Sequence, residues 1–398
     1  MAGWRSDLGE FRLTAENSYM GGVTGNTTMY LALQEKPGAE SFKTNPLPVA
    51  ENKQNIWDKG APPKKGKREG MWKLVLRCAG SCDNGTTALS DDNLHTLLGA
   101  ALGGSGKSEG SEVSGAGSTT QFTVQDVSHF AAGKFLLVED QPRLVVSTSG
   151  DDVIVWPPLS GAPASSADVY PAFNYYPDDS AARTTFRGEY HRESNKLGIR
   201  SKGVSLIPQF SQLGVDEGMA LVAFDAQSGD YEDIASDFSS ARVPDTGMNP
   251  GPIMESGYMY LSDGSNNLAL IPSSFTPTLP MKESRFKDGT AENGLGAPTL
   301  VPGEGGIEAV VYQPSDADDP IDQLRSWFTN RTNLKLFYAV GKTQGDCLAF
   351  MFPYVWLKEE PDPNEEVDGL GAVKLSLEIG RDRTSGATLN KAFYIGRM

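Results

Sequence analysis

The sequence predicts a mainly β chain: two tandem β-sandwich or barrel domains, each with one flanking α-helix and long loops. Three observations predict it. Forty-four glycines and 25 prolines place turns along the whole chain. Hydrophobic residues make up only 38% while aromatic residues reach 9%, which suits a core assembled from short strands and disfavours coiled coil or wholesale disorder. The runs at 72–78 and 373–379 alternate with period two, and one run in each half reads as a helix. At 398 residues the chain exceeds one ordinary domain and fits two or three.

The elements follow in order. Residues 11–34 hold two strand-like runs separated by Gly21-Gly22. Residues 36–70 are polar and proline-rich and read as a long exposed loop, with room for a hairpin and with a basic cluster at Lys64, Lys65, Lys67 and Arg68. Trp72, Leu74, Leu76 and Cys78 share one face of a strand. Residues 90–102 form a helix with Ser90 or Asp91 as its cap and Leu94, Leu97, Leu98 and Ala101 as its apolar stripe. A Gly/Ser stretch at 103–119 reads as a flexible loop, followed by strands at 121–124, 134–138, 143–148 and 152–156. Pro and Ser enrichment at 157–168 and the YYPDDSAAR stretch place a boundary that divides the chain into domains 1–182 and 183–398.

The second half opens with strands at 184–191 and 204–210. Residues 225–303 read as mostly loop, with short apolar pieces such as Tyr258 to Leu261. A strand at 307–312 precedes a helix at 320–329, whose Pro320 suits the first turn. Strands follow at 334–340, 346–352 and 354–358. The last, 373–379, alternates Val, Leu, Leu, Ile with Lys, Ser, Glu. Each half runs through a long loop, a glycine-introduced strand, one helix and several strands, which reads as an internal duplication.

Composition excludes several functions. The 51 acidic against 35 basic residues give a formal charge of -16, a surface that repels phosphate and argues against stable nucleic-acid binding. Three cysteines cannot form a dense disulfide framework and read as buried or idle thiols. The opening MAGWRSDLGEF has no basic-then-apolar signal region, and the most apolar run, Cys347 to Leu357, is too short to span a bilayer. Membrane insertion is therefore not expected.

Candidate chemistry is sparse. Residues 101–108, ALGGSGKS, match a loose phosphate-loop pattern, but a helix precedes them and no helix follows, the reverse of what phosphate cradling needs. Carboxylate pairs such as Asp91-Asp92, Asp151-Asp152 and Asp178-Asp179 lack calcium-loop spacing and read as caps or turns. There is no Gly-x-Ser-x-Gly elbow and no His-Glu-x-x-His helix, and His95, His129 and His191 have no catalytic companions in sequence. No catalytic residue, metal site or cofactor is expected.

The stretch from LKLFYAVGKTQGDCLAF to VKLSLEIGRD resembles the end of a tailed-phage, siphophage-type major tail tube protein. It carries Gly341 to Gly345, Phe352-Pro353, the acidic loop Glu359 to Glu366, Asp368-Gly369 and the final strand Val373 to Ile379. FRLTAENSYMGG, GMWKLVLRCAG, the DDNLHTLLGAALGG helix and VSHFAAGKFLLVED leading to GDDVIVWPP extend the resemblance into the first half, over about half of the residues.

The resemblance implies two packed antiparallel sheets with a flanking helix. It also implies self-assembly: subunits close into rings, rings stack head to tail, and one sheet from each domain joins an inner barrel. Because single-domain relatives form hexamers, a duplicated chain implies a trimer with pseudo-sixfold symmetry. The implied partners are other copies of the chain, tail tip or baseplate, tail terminator and tape-measure proteins. Double-stranded DNA would pass through transiently during ejection. The implied location is the virion tail, assembled in the host bacterial cytoplasm. Carboxylates on an inner wall would keep DNA from sticking, with Glu308 and Glu378 as candidates. Lys64, Lys65, Lys67 and Arg68 are candidate inter-ring contacts, as are the loops at 36–70, 103–119 and 225–303. The rival readings are another tail, baseplate or secretion-tube component, and a two-domain β-sandwich module binding a host surface or glycan through Tyr175, Tyr176, Tyr258 and Tyr260.

Overall fold

A computed structural model describes residues 9–31, 38–39, 43–44, 68–77, 93–105, 109–115, 117–177, 183–192, 197–211, 213, 220–235, 237, 257–286, 296–312, 320–342, 344–345, 347–381 and 389–398. The chain is mainly β. It begins with β1 (Gly9–Ala15), β2 (Thr28–Leu31), β3 (Gly38–Ala39), β4 (Lys43–Thr44), β5 (Arg68–Arg77), helix α1 (Asn93–Leu102) and β6 (Gly104–Ser105). Six strands then make a unit of their own: β7 (Ser111–Glu112), β8 (Gln121–Thr123), β9 (Phe135–Val138), β10 (Gln141–Ser149), β11 (Asp152–Trp156) and β12 (Asp168–Pro171). The chain returns through β13 (Phe173–Tyr175), β14 (Phe186–Arg192), β15 (Leu197–Ser211), β16 (Leu221–Ser228) and β17 (Asp230–Ala235). It continues with β18 (Tyr258–Ser262), β19 (Asn267–Leu270), β20 (Pro272–Thr278), β21 (Met281–Ser284), β22 (Thr299–Pro302) and β23 (Gly306–Tyr312). It ends with helix α2 (Pro320–Thr329), β24 (Leu334–Val340), β25 (Leu348–Leu357), β26 (Asp362–Val367), β27 (Leu370–Ile379) and β28 (Tyr394–Arg397).

Strand order reveals a repeat. The first sheet runs β2-β1-β14-β15-β16-β5-β3, and the second runs β19-β18-β24-β25-β27-β23-β20. Position by position these are the same path through the chain, with α1 between β5 and β14 and α2 between β23 and β24. The correspondence extends to the strand after the path, since β17 pairs with β15 and β28 with β25. The duplication read from element order is therefore present as strand topology. Its division differs from the one read at 182/183. β1 pairs with β14 and β5 with β16, so strands on both sides of that point build the first sheet. The repeats meet between Ala235 and Tyr258. The Pro/Ser-rich stretch at 157–168 belongs to the six-stranded unit inserted between α1 and β14; composition marked the exit from an insertion.

Other expectations are also corrected. Residues 225–303, read as loop, contain all or part of seven strands, β16 to β22. The 103–119 stretch contributes β6 and β7. The separate strands at 346–352 and 354–358 are the single strand β25. Of residues 36–70, β3 and β4 both pair with β5, and most of the rest lies outside the described residues.

Alternation explains the layers. On β5, Trp72, Leu74 and Leu76 are buried while Lys73 is exposed. On β27, Val373, Leu375, Leu377 and Ile379 point to the core, with Lys374 and Glu378 on the opposite face. One continuous core joins both repeats: Phe210 of β15 meets Phe350 of β25 edge to face at 5.1 Å, and the Tyr338 hydroxyl donates to the Leu213 carbonyl. Helix α1 lays Leu94, Leu97 and Leu98 into this core, and α2 adds Leu324 and Trp327.

The inserted unit is a closed six-stranded barrel. Its sheet runs β7-β12-β9-β10-β11-β8, and a bridge from Val113 to Val124 joins the ends. It has its own core, including Phe122, Phe130, Leu136, Val145 and Val153. Its β9 and β10 present Phe135, Leu137 and Leu144 to Phe337, Ala349 and Met351 on the outer face of the second repeat. Gly396 of β28 lets these layers approach, because a Cβ there would lie 2.4 Å from the Phe135 ring.

Trp72 reports on the shared core. It is fully buried, stacks edge to face on Phe11 and Tyr190, and donates its indole N–H to Ser201 Oγ at 3.0 Å. Trp72→Ala is expected to cost about 3–5 kcal/mol, read as a lowered urea midpoint.

Candidate functional site

The two acids proposed for an inner wall lie on one face. Glu308 on β23 and Glu378 on β27 are both exposed. Glu308 stands opposite Ser376 and accepts its hydroxyl at 2.8 Å, while Glu378, two residues further along, stands opposite Gly306 and Trp356. They are therefore diagonal neighbours on adjacent strands. This face is not purely acidic, because Lys374 of β27 is exposed there between the strands' apolar positions. The barrel covers the β18-β24-β25 end of the second repeat and leaves the β23-β27 end, with Glu308 and Glu378, open.

The basic cluster is only partly described. Lys64, Lys65 and Lys67 lie outside the described residues. Arg68 opens β5, where its backbone stands opposite Thr44. Among the aromatic residues considered for glycan stacking, Tyr175 is fully buried. The Tyr258 hydroxyl accepts from Arg143 Nη1 at 2.7 Å and donates to the Pro142 carbonyl at 2.8 Å, and burial pushes its ionisation upward. Tyr176 and Tyr260 are half-buried against the same barrel contact. These rings therefore do not form an open stacking platform.

The most concentrated polar chemistry sits where the repeats join. β21 and β22 form a two-stranded sheet of their own, a hairpin that leaves the second repeat and lies on the first. Its Glu283 and Arg285 are almost fully buried and pair at 2.5 Å. Arg285 Nη2 donates to the Gly203 carbonyl at 3.0 Å, to Ser205 Oγ at 2.8 Å and to the Gln227 carbonyl at 2.7 Å; Ser205 in turn donates to Glu283. Arg183 approaches Glu283 at 3.7 Å and donates to the Ala101 and Leu206 carbonyls. Burial draws the Arg183 guanidinium below its ordinary value, with Glu283 opposing the shift.

This joint sits on the bend of β15, the point where the strand passes from one layer to the other. Gly203 makes the bend with φ +62°, and a Cβ there would meet the Tyr19 ring at 2.6 Å. Glu16 secures it by accepting the Gly203 and Met20 N–H groups at 2.9 Å each and the Thr185 hydroxyl at 2.7 Å. Burial nevertheless pushes the Glu16 carboxyl above its ordinary value, outweighing those hydrogen bonds and the Arg187 charge. The joint was missed in sequence because its members come from residues 16, 183, 203–205 and 283–285. The one available signal was the polar KESR run closing an otherwise apolar stretch.

A second ionic array lies on the outer face of the first repeat. Arg200 bridges Glu189 at 2.6 Å and Glu232 at 3.3 Å, Lys202 reaches Glu232 at 3.4 Å, and Arg12 pairs with Glu10. Among the described residues no group of three or more His, Cys, Asp or Glu could hold a metal ion, and no helix is long and apolar enough to cross a membrane. No protein-family model and no curated protein matches the chain.

Two outcomes test the joint. Arg285→Ala leaves Glu283 buried without its closest cation and is expected to cost about 3–5 kcal/mol, measured by chemical denaturation. Glu16 has a folded-state value above its unfolded one, so the stability it adds is fully present below the unfolded value and is lost as pH rises through the folded one. Relative to Glu16→Gln, the wild type is expected to lose unfolding free energy as pH is raised from about 4 to about 7. A difference that stays flat across that window would contradict the assignment.

Proposed function

We propose that this chain is a structural subunit that polymerises as stacked rings into a tail tube of the siphophage type, a conduit for double-stranded DNA. The observation that carries this reading is the duplicated strand order within one chain. Three copies supply six equivalent repeats, enough for a closed ring with pseudo-sixfold symmetry. The short outer strands β2 and β19 are sheet edges whose backbone groups gain partners on ring closure. Axial stacking is head to tail and does not close, so it yields a filament. The tail tip or baseplate, tail terminator and tape-measure proteins would be its axial partners, and the virion tail its location.

The charge distribution supports the conduit. With a formal charge of -16 the surface does not gather phosphates by counterion release. The barrel covers one part of the second repeat and leaves the exposed Glu308 and Glu378 uncovered, which supports a channel-lining role for them. The reading requires no catalysis and no cofactor; the polar clusters at the joint are ion pairs and backbone caps.

Negative-stain electron microscopy and light scattering of the purified chain test the reading. Rings of trimer mass that stack into hollow tubes are expected, with addition of tail-tip protein as the seed where nucleation limits growth. A chain that stays monomeric with the seed at every concentration would overturn the proposal. In assembled tubes, the double change Glu308→Lys with Glu378→Lys is expected to leave tube length unchanged. It should make the tubes retain duplex DNA at low salt and release it at high salt, as read by filter binding. Equal retention by both tube types would remove these acids from the channel wall.

A further inference from the structure

We propose that the tip of the β26–β27 hairpin of one copy docks into the cavity at the far end of β27 on a second copy, a head-to-tail contact of knob and socket. This rests on the self-assembly reading above, and gives that assembly a named axial contact.

The knob is an apolar tip in acidic surroundings. Two residues join β26 to β27, with Val367 opposite Leu370. Asp368 at φ +52° and Gly369 at φ +79° make the turn, the geometry whose twist suits a hairpin. The tip is therefore shaped before it binds and has little conformational freedom left to lose. Leu370 at its end is 60% exposed. Glu365, Glu366 and Asp368 are exposed beside it, and a Cβ on Gly369 would lie 3.9 Å from Glu366 Oε1, which places that carboxylate at the turn. From residue 359 to 373 the sequence has six acids and no base.

The socket has the opposite character. A cavity of about 630 Å³ opens where β27 ends, between the β21–β22 hairpin and the segment leading into β28. Met281, Leu300, Ile379 and Ala392 give it apolar walls, and Arg381 and Lys391 are the only charged residues among its described lining. Arg381 Nε donates to the Asn390 carbonyl at 2.9 Å, and the Lys391 ammonium lies 5.6 Å from the centre of the Tyr176 ring. In a chain of formal charge -16, a cavity with two cations and no carboxylate in its described lining is complementary to an acidic partner with an apolar end. Burying Leu370 there removes apolar surface from water.

Position makes the contact intermolecular. Leu370 opens β27 and Ile379 closes it, about 30 Å apart at the rise of a strand, so the tip cannot enter the cavity of its own chain. A contact between two different surfaces of identical chains is heterologous, and it continues as a filament when successive copies are displaced along the strand. Among the described residues the knob belongs to the second repeat alone: β26 stands between β25 and β27, whereas no strand stands between the equivalent β15 and β16. It therefore keys neighbouring rings chain to chain, and the two repeats are not equivalent along the axis.

The test uses the full chain. Isotope-labelled wild type is mixed with unlabelled chain carrying p-benzoylphenylalanine in place of Leu370, then assembled, irradiated and analysed by mass spectrometry. Cross-links from position 370 to labelled residues 300–303, 379–381 or 390–392 are expected. Assembled tubes whose cross-links fall elsewhere, or only within unlabelled chain, overturn this contact and leave the tube reading standing. Wild-type chain that never assembles, even with a tail-tip seed, overturns the tube reading and this contact with it. Glu366→Arg and Arg381→Glu, both at exposed positions, are each expected to raise the concentration for half-assembly about tenfold, with the circular dichroism spectrum unchanged. Combined in one chain, the two changes restore opposite charges across the contact and bring the midpoint back toward the wild-type value. Single changes that leave the midpoint unmoved, or a double change no better than either single one, count against the contact.

Discussion

Strand β15 is hydrogen-bonded to β14 and β17 through its first half and to β16 through its second. A strand can serve two layers only if it turns without losing its backbone partners, and here the turn is made at Gly203. β25 does the same in the second repeat, pairing with β24 and β28 before the turn and with β27 after it. Each repeat is therefore two layers wrapped around one bent strand, and the helix closes the side where the layers separate. The bend is also where carbonyls face outward. Arg285 gathers there as the donor to the Gly203 and Gln227 carbonyls, and Glu16 as the acceptor of the Gly203 N–H, because each of these backbone groups needs a partner once the corner is covered.

Covering is unequal between the repeats, and the inequality has a chemical basis. The outer face of the first repeat carries Arg200 paired with Glu189 and Glu232, and Arg12 paired with Glu10, with the Arg200 and Glu232 side chains partly exposed. The corresponding face of the second repeat carries Tyr258, Phe337 and Met351, which require an apolar cover and find it in the barrel. Arg143 anchors that cover from within: it is nearly fully buried, yet donates to Tyr258, to Gln141 and to two carbonyls. A burial of this kind fixes which face of the second repeat remains open.

Elements with local causes were legible in the sequence. The final strand showed its alternation, α2 began at Pro320 as its ring geometry favours, and Trp72, Leu74 and Leu76 declared a buried face. Glu308 and Glu378 could be placed on an outward face by the same alternation, although only register shows that they are diagonal neighbours. The first half of β15 was missed because Arg200, Ser201, Lys202 and Gly203 break the apolar pattern at the bend. The division between repeats was misplaced because proline and serine accumulate wherever a chain turns, at an insertion as readily as at a domain end. The joint between repeats could not be read at all, since its energetics depend on residues brought together by topology.

The chain leaves the first repeat along β6 and returns along β13, and these two strands lie side by side, with Ser105 opposite Asn174 and Gly104 opposite Tyr175. Departure and return share one doorway. The second repeat shows the same doorway closed, since only Asn330 to Asn333 connect α2 to β24. Whatever occupies the space between neighbouring strands adds little to the loop-closure entropy of the host repeat. At its point of attachment the barrel is thus a passenger, exchangeable for a module of different size provided that module still covers Phe337, Ala349 and Met351 with an apolar face. Lineages could change what this molecule shows on that side while leaving the duplicated scaffold untouched.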